Sequence, residues 1–329
     1  MFEKYIPACL LMILAFSCSY GDQGQKFAPV KNFDLGQKPV GPGGSIQNAG
    51  RPSSWIKKAL ANKNDSFTPL LQKYVKADGG VRYREWSSET ADRESLRSYV
   101  ASLSEPAPTG NGESEAASVR LTRMINLYNS ATLLLIIDRY VDTLGGENSP
   151  LPQMRSIRNI DSLDFAIWNQ PIVLFEGKNV SLNDLESADS ENISGERKSI
   201  RSFLDARIHF AVNCASKGCP KLLNQAFDND FLNEQLDYVT YGYVNSGQQT
   251  QFLRASGAEP TVKHSEILNW YWADFELSGY KSVREFFSKW LDPMTGVDPA
   301  ELEILQPGTK EFQWTLEAIE YDWTLNEAL

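Results

Sequence analysis

Histidine is almost missing from this chain: His209 and His264 are the only two in 329 residues. A histidine-based metal centre has little to draw on, and the four cysteines contain no Cys-x-x-Cys spacing of the kind that builds a zinc cage. Neither a metal nor a cofactor is expected. Positive charge is also short, with 32 Lys and Arg against 42 Asp and Glu and a formal charge of −10. That balance gives no reason to expect nucleic acid or an anionic membrane surface as a partner. Past the N-terminus no segment is long and apolar enough to read as a transmembrane helix.

The N-terminus reads as a processing segment. Lys4 precedes the apolar run Ala8 to Phe16, too short to span a bilayer but suited to a signal-peptide core. Ala15 and Ser17 satisfy the small-residue cleavage pattern, and Cys18 directly after Ser17 resembles a lipoprotein box in which the cysteine is lipidated. Residues 1–18 are thus expected to be a signal, with export to the bacterial cell envelope on the periplasmic side or at the cell surface. Lipid at Cys18 would be the sole membrane contact. Residues 19–53, rich in Gly, Pro, Gln and Asn, read as a flexible tether that cannot bury a core. Residues 54–329 hold all eight Trp and abundant Phe, Tyr, Leu and Ile, enough for one large domain.

Within that domain, Trp55, Ile56, Leu60, Leu70, Leu71 and Tyr74 suggest two short amphipathic helices, and helical periodicity runs from Glu89 to Leu103, over Asp230 to Val244 and over Lys281 to Trp290. The longest helix, Val119 to Val141, is apolar on nearly all sides and belongs at the centre of a domain. Asn126 and Asn129 share one face of it, with Arg123 one turn earlier. They either clamp a neighbouring loop or line a site. Ile172 to Phe175 reads as a strand, Glu176 to Asn179 as a hairpin turn, and Ser181 or Asn183 as a helix cap. Ile319 to Asn326 reads as strand-like. His264 reads as a surface or packing residue, Trp270, Tyr271, Trp272 and Phe275 as core, and Asp274 as a cap or a partner within that core.

The richest stretch is Arg207 to Pro220, RIHFAVNCASKGCP. Its first half alternates like a strand, and Cys214 to Pro220 ends in a turn marked by Gly218 and Pro220. With Cys9 in the signal and Cys18 lipidated or removed, Cys214 and Cys219 remain as an even pair in an oxidising compartment.

These segments resemble the bacterial and plant family called domain of unknown function 547. The carrying blocks are LQKYVKADGGVRYREW, RLTRMINLYNSATLLLIID, NVSLNDLE, RIHFAVNCASKGCP, EILNWYWADF and IEYDWTLN, spanning Leu71 to Asn326. Arg120 and Asn126 to Asn129 match the helix motif. His209, Cys214, Ser216, Lys217, Cys219 and Pro220 match the cysteine block. One departure stands out: members often carry His after the Glu matched by Glu186, and this chain has Ser187. The resemblance implies a fold and a site rather than an activity. The fold it implies is α+β, with a helix-rich N-terminal half packed on a small, mostly antiparallel sheet, and papain-like and transglutaminase-like thiol enzymes as an analogy.

Two functions fit these residues. In a thiol-dependent hydrolase or acyl transferase, Cys214 is the nucleophile, His209 the base, and Glu186 or Asn126 the group orienting the imidazole. Asn129, Ser216, Lys217 and Gly218 then line the substrate, the turn amides forming an oxyanion nest. In a non-catalytic binding or scaffold module, Cys214 and Cys219 form a disulfide that pins the turn, Asn126, Asn129 and His209 form a buried network, and the acidic, aromatic surface meets a peptide or protein. A third, weaker reading is a redox role for the pair, against which stand its four-residue spacing and the absence of a thioredoxin-like pattern.

Overall fold

The computed structural model describes residues 65–106, 115–144, 157, 166–187, 192–193, 198–254, 256–258, 260–292, 295–297 and 315–328. The expected signal, the tether, Cys18 and the first of the two helices expected between Trp55 and Tyr74 lie outside them. Three helices open the described chain: α1 (Phe67–Tyr74), α2 (Tyr83–Ser88) and α3 (Thr90–Ser102). Tyr74 stacks on Trp86 at 4.5 Å between ring centroids, which fixes α1 against α2. Both α2 and α3 pack on α4 (Ala117–Leu144). Every residue from Leu121 to Leu133 is buried, as an all-round apolar helix requires.

The polar residues on α4 find their partners in chain that is neither helix nor sheet. Asn126 donates through Nδ2 to the Phe227 carbonyl (2.8 Å) and accepts from the Phe227 amide (2.9 Å). Asn129 donates to the Ala211 carbonyl (2.8 Å) and accepts from the Asn213 amide (2.9 Å). Arg123 pairs with Glu115 and with Glu176, and its guanidinium lies over the Phe175 ring at 4.6 Å. Glu176 and Gly177 form the turn between β1 (Val173–Phe175) and β2 (Lys178–Val180), an antiparallel hairpin. A capping box between Ser181 and Asp184 then starts α5 (Leu182–Glu186).

The strand expected over 207–214 does not form. In its place Ala206–Phe210 is a 3₁₀ turn, started by the Asp205 carboxylate accepting from the Arg207 amide. Ile208, His209 and Phe210 are all buried, so the apparent alternation is not one face in and one face out. Beyond Ala211 the amide of Asn129 supplies the hydrogen bonds a ladder would have given.

Downstream lie α6 (Leu232–Val244), α7 (Ile267–Leu277) and α8 (Val283–Trp290). A second sheet has the order β3 (Thr250–Leu253), β4 (Thr261–Ser265), β5 (Thr315–Ile319); β3 and β4 are antiparallel, β4 and β5 parallel. The architecture is α+β. His264 is a packing residue on β4, its Nδ1 donating to the Ser265 carbonyl, and burial lowers its pKa. The tail is strand only as far as Ile319. After that it makes isolated bridges, Ser216 to Leu325 and Val81 to Glu327, because it runs between the cysteine turn and the first helices instead of along a sheet.

Asn126→Ala leaves a buried amide and a buried carbonyl of Phe227 without partners, which costs about 1–3 kcal/mol per group. A fall in the urea midpoint of corresponding size, with unchanged denaturant slope, is the expected result; a midpoint within error of the parent would show that water replaces the clamp.

Candidate functional site

Cys214 and Cys219 are joined as a disulfide across the turn that follows the 3₁₀ segment. Ala215, between them, holds a left-handed φ of 64°, and its amide donates to the Asn213 side chain at 2.8 Å. The turn amides are spent on the chain itself. Lys217 donates to the Thr324 carbonyl and Gly218 to the Asp322 carbonyl, both at 2.8 Å, and Cys219 donates to Ser216 at 3.2 Å. The oxyanion nest expected around Ser216, Lys217 and Gly218 is therefore not formed by these amides. The Lys217 side chain is exposed, whereas Ser216 is buried.

Tyr321 closes the turn from above. A Cβ at Gly218 would come within 2.8 Å of its ring, so only glycine lets the ring lie this low. The Tyr321 hydroxyl lies 3.1 Å from Cys219 Sγ, 3.5 Å from Cys214 Sγ and 3.0 Å from Ser216 Oγ, with Ser216 donating to it. Burial pushes its pKa well up, and the negative charges of Glu186 and Asp322 add to that against the lowering hydrogen bond from Ser216. The ring belongs to a cluster with Trp270 (4.8 Å) and Trp323 (4.3 Å), all three half-buried.

His209 belongs to a different set of contacts. Its Nε2 lies 2.9 Å from Asp274 Oδ2, and its ring stacks on Tyr271 at 4.1 Å. A carboxylate only accepts, so Nε2 carries the proton in this bond. Arg201 makes a two-pronged contact with the same carboxylate, at 2.7 and 3.1 Å, and lies over the Tyr271 ring at 5.1 Å. Burial by itself would raise the Asp274 pKa. The hydrogen bonds and charge of His209 and Arg201 outweigh it and hold the carboxyl at about 2. Glu186 accepts from the Tyr271 hydroxyl at 3.0 Å. No hydrogen bond joins His209 to Cys214 among the described residues.

The expected site residues thus separate into three places. Cys214, Ser216, Lys217, Gly218 and Cys219 share one turn. Asn126 and Asn129 clamp backbone, Asn126 at Phe227 and Asn129 just before that turn. Glu186 and His209 both contact Tyr271, Glu186 at its hydroxyl and His209 on its ring, rather than each other, and the group bonded to His209 is Asp274. Asp274, Arg201 and Tyr321 were not among the site residues read from the sequence. A signal existed for Asp274, a lone carboxylate in the apolar run ILNWYWADF, which must be paired when its helix is buried. Tyr321 had none, since its partners lie over a hundred residues away.

Comparison with known proteins agrees with the resemblance and adds no activity. Residues 115–244 match the family described as protein of unknown function, DUF547. The matched region runs from the start of α4 through the cysteine turn to the end of α6. Neither a curated protein nor a solved structure matches the chain.

Because the Asp274 pKa is depressed on folding, its contribution is complete above the ordinary value of 3.8 and is lost as pH falls toward about 2. Asp274→Asn is expected to remove at least about 2 kcal/mol at neutral pH and to flatten the acid limb of the stability curve. Chemical denaturation repeated at a series of pH values checks this; a variant curve that parallels the parent's through that window would show the carboxylate to be uninvolved.

Proposed function

We propose, for a chain that belongs to the DUF547 family through residues 115–244, a binding module pinned by a disulfide rather than a thiol-dependent hydrolase. One observation carries this reading. The groups that a thiol enzyme needs are committed elsewhere: Cys214 to Cys219, His209 to Asp274, and the Lys217, Gly218 and Cys219 amides to the chain itself. What the same turn supplies is a rigid floor for Tyr321. A disulfide across so short a loop contributes about 2 kcal/mol by restricting the unfolded chain.

The binding face is the cluster of Trp270, Tyr321 and Trp323. Exposed Glu320 and Asp322 flank Tyr321, and half-buried Glu186 acts electrostatically on it. Flat aromatic surface beside carboxylates favours a cationic partner, because a guanidinium or ammonium gains both from the ring faces and from the opposite charge. The partner of this face is a basic segment of a peptide or protein. The thiol-dependent hydrolase or acyl transferase keeps its nucleophile only in a reduced protein and finds no imidazole at hydrogen-bonding distance there.

Export and tethering follow from the N-terminal pattern ending in Ser17-Cys18. The module is a cell-envelope lipoprotein held by lipid on Cys18, with residues 19–53 as its leash.

Calorimetric titration of the protein with an Arg-rich peptide containing aromatic residues is expected to give binding that weakens with salt, against none for the Glu-rich counterpart. Trp323→Ala should weaken it about tenfold, a loss typical of an aromatic anchor. Equal affinity for both peptides, or for parent and variant, would remove the proposed face. For the anchor, Cys18→Ala should move the protein from the membrane to the soluble fraction of its host; unchanged membrane association would rule out lipidation at this position.

A further inference from the structure

The donors around Cys219 Sγ suggest a chemistry that the binding reading does not include. The Cys214 amide donates to Cys219 Sγ at 3.1 Å. Tyr321 supplies a second donor at 3.1 Å. Proton accounting supports that direction. Ser216 has one hydroxyl proton and two acceptors in reach, Tyr321 at 3.0 Å and Cys219 Sγ at 3.4 Å; the shorter contact takes it, so the Tyr321 proton is directed at sulfur, and a phenol with a raised pKa keeps that proton. Cys214 Sγ has poorer company, with only the 3.5 Å approaches of Ser216 and Tyr321. Access runs the other way: Cys214 is half-exposed, whereas Cys219 is 7 % exposed.

We infer that the Cys214–Cys219 disulfide is exchange-active, with Cys214 Sγ as the atom attacked by an incoming thiolate and Cys219 as the leaving thiolate. In the first step the attacking thiolate sulfur bonds to Cys214 Sγ, the Cys214–Cys219 bond breaks, and its electron pair leaves on Cys219, where the Cys214 amide and the Tyr321 hydroxyl receive it. A second thiolate then attacks the mixed disulfide on the sulfur donated by the first. Cys214 leaves as thiolate, and the two external thiols depart as a disulfide. Two electrons pass from the two thiols to the cysteine pair. A stabilised leaving thiolate speeds the first step, because exchange rates rise as the leaving-group pKa falls.

The turn is built to keep those donors in place after the bond opens. Its amides remain tied to the carbonyls of Asp322 and Thr324, and Gly218 keeps the Tyr321 ring against it. The Gln249 side chain also donates to the Lys217 and Cys219 carbonyls, at 3.3 and 3.4 Å. The substrate class is a thiol, either a small molecule or a cysteine on another protein. The spacing of the pair gives no hint of this; the hydrogen bonds to one sulfur do.

The test uses the full chain and glutathione as the thiol, with peptide mass spectrometry at Cys214 and Cys219. Before reductant, iodoacetamide is expected to label neither. Glutathione should then open the bond, and the mixed disulfide trapped by acid quench and alkylation of the unmutated chain should carry glutathione on Cys214 and the alkyl group on Cys219. Tyr321→Phe, which deletes the 3.1 Å donor, should slow opening about tenfold, and Ser216→Ala, which removes only the longer 3.4 Å approach to Cys219 Sγ and the bond that orients the Tyr321 proton, should slow it less. If Tyr321→Phe does not fold, Ser216→Ala carries the comparison. A bond inert to glutathione, a bond opened at the same rate in both variants, or an adduct preferring Cys219 in the unmutated chain would overturn the inference while leaving the pinned binding face intact. Labelling of both cysteines before reductant would overturn both.

Discussion

Buried backbone that is neither helix nor strand has to find side-chain partners, and in this protein asparagine amides supply them. Asn126 and Asn129 hold segments 227 and 211–213 against the central helix. Asn213 continues the chain of contacts, donating to the Pro220 carbonyl and accepting from the Ala215 amide and from Asn326. Asn326 in turn accepts from the buried Tyr83 hydroxyl, 243 positions earlier. One polar relay therefore runs from the first helices through the cysteine turn to the C-terminal tail. In low-dielectric surroundings such a network strengthens when complete and costs heavily when one member is lost, so it specifies a single arrangement of this loop.

Ionic contacts do comparable work in two other places. Arg201, His209 and Asp274 tie the 3₁₀ turns Ile200–Phe203 and Ala206–Phe210 to α7, with the Tyr271 ring against both His209 and Arg201. Arg120 and Arg123 converge on Glu176 and lay their guanidinium groups over Phe175, which locks the hairpin onto α4. Removing one partner of such a pair strands the other charge, which is more damaging than the net worth of the pair suggests. The two clusters fasten elements that the hydrophobic core alone would leave free to slide.

The elements most legible in the sequence are those whose signals are local. The apolar run of α4, the hairpin at Glu176-Gly177, the Ser181 cap and the α6 and α8 helices all follow from periodicity or capping over a few residues. The segment 207–214 misled, because Ile208, Phe210 and Val212 imitate a strand while the hydrogen bonds that decide the matter come from Asn129, some 80 positions away. At the candidate site the cysteine turn was visible as a cluster of residue types. The separation of His209 from Cys214 was not, since Asp274 and Tyr271 capture the imidazole only once α7 has docked. Ile319 to Asn326 reads only as an apolar and acidic strand-like piece, and nothing local reveals which loop it covers.

The placement of that covering segment has a consequence for the order of assembly. Residues 321–326 lie more than a hundred positions beyond the two cysteines they shield, so they follow them through the proposed export. Until they arrive, the thiols stand open and without the Tyr321 hydroxyl, and closure of the turn depends on contacts of very long loop length, which are slow to form. Oxidation of the pair has a window before this roof is laid, and any failure of late docking leaves the same two sulfurs exposed to mispairing.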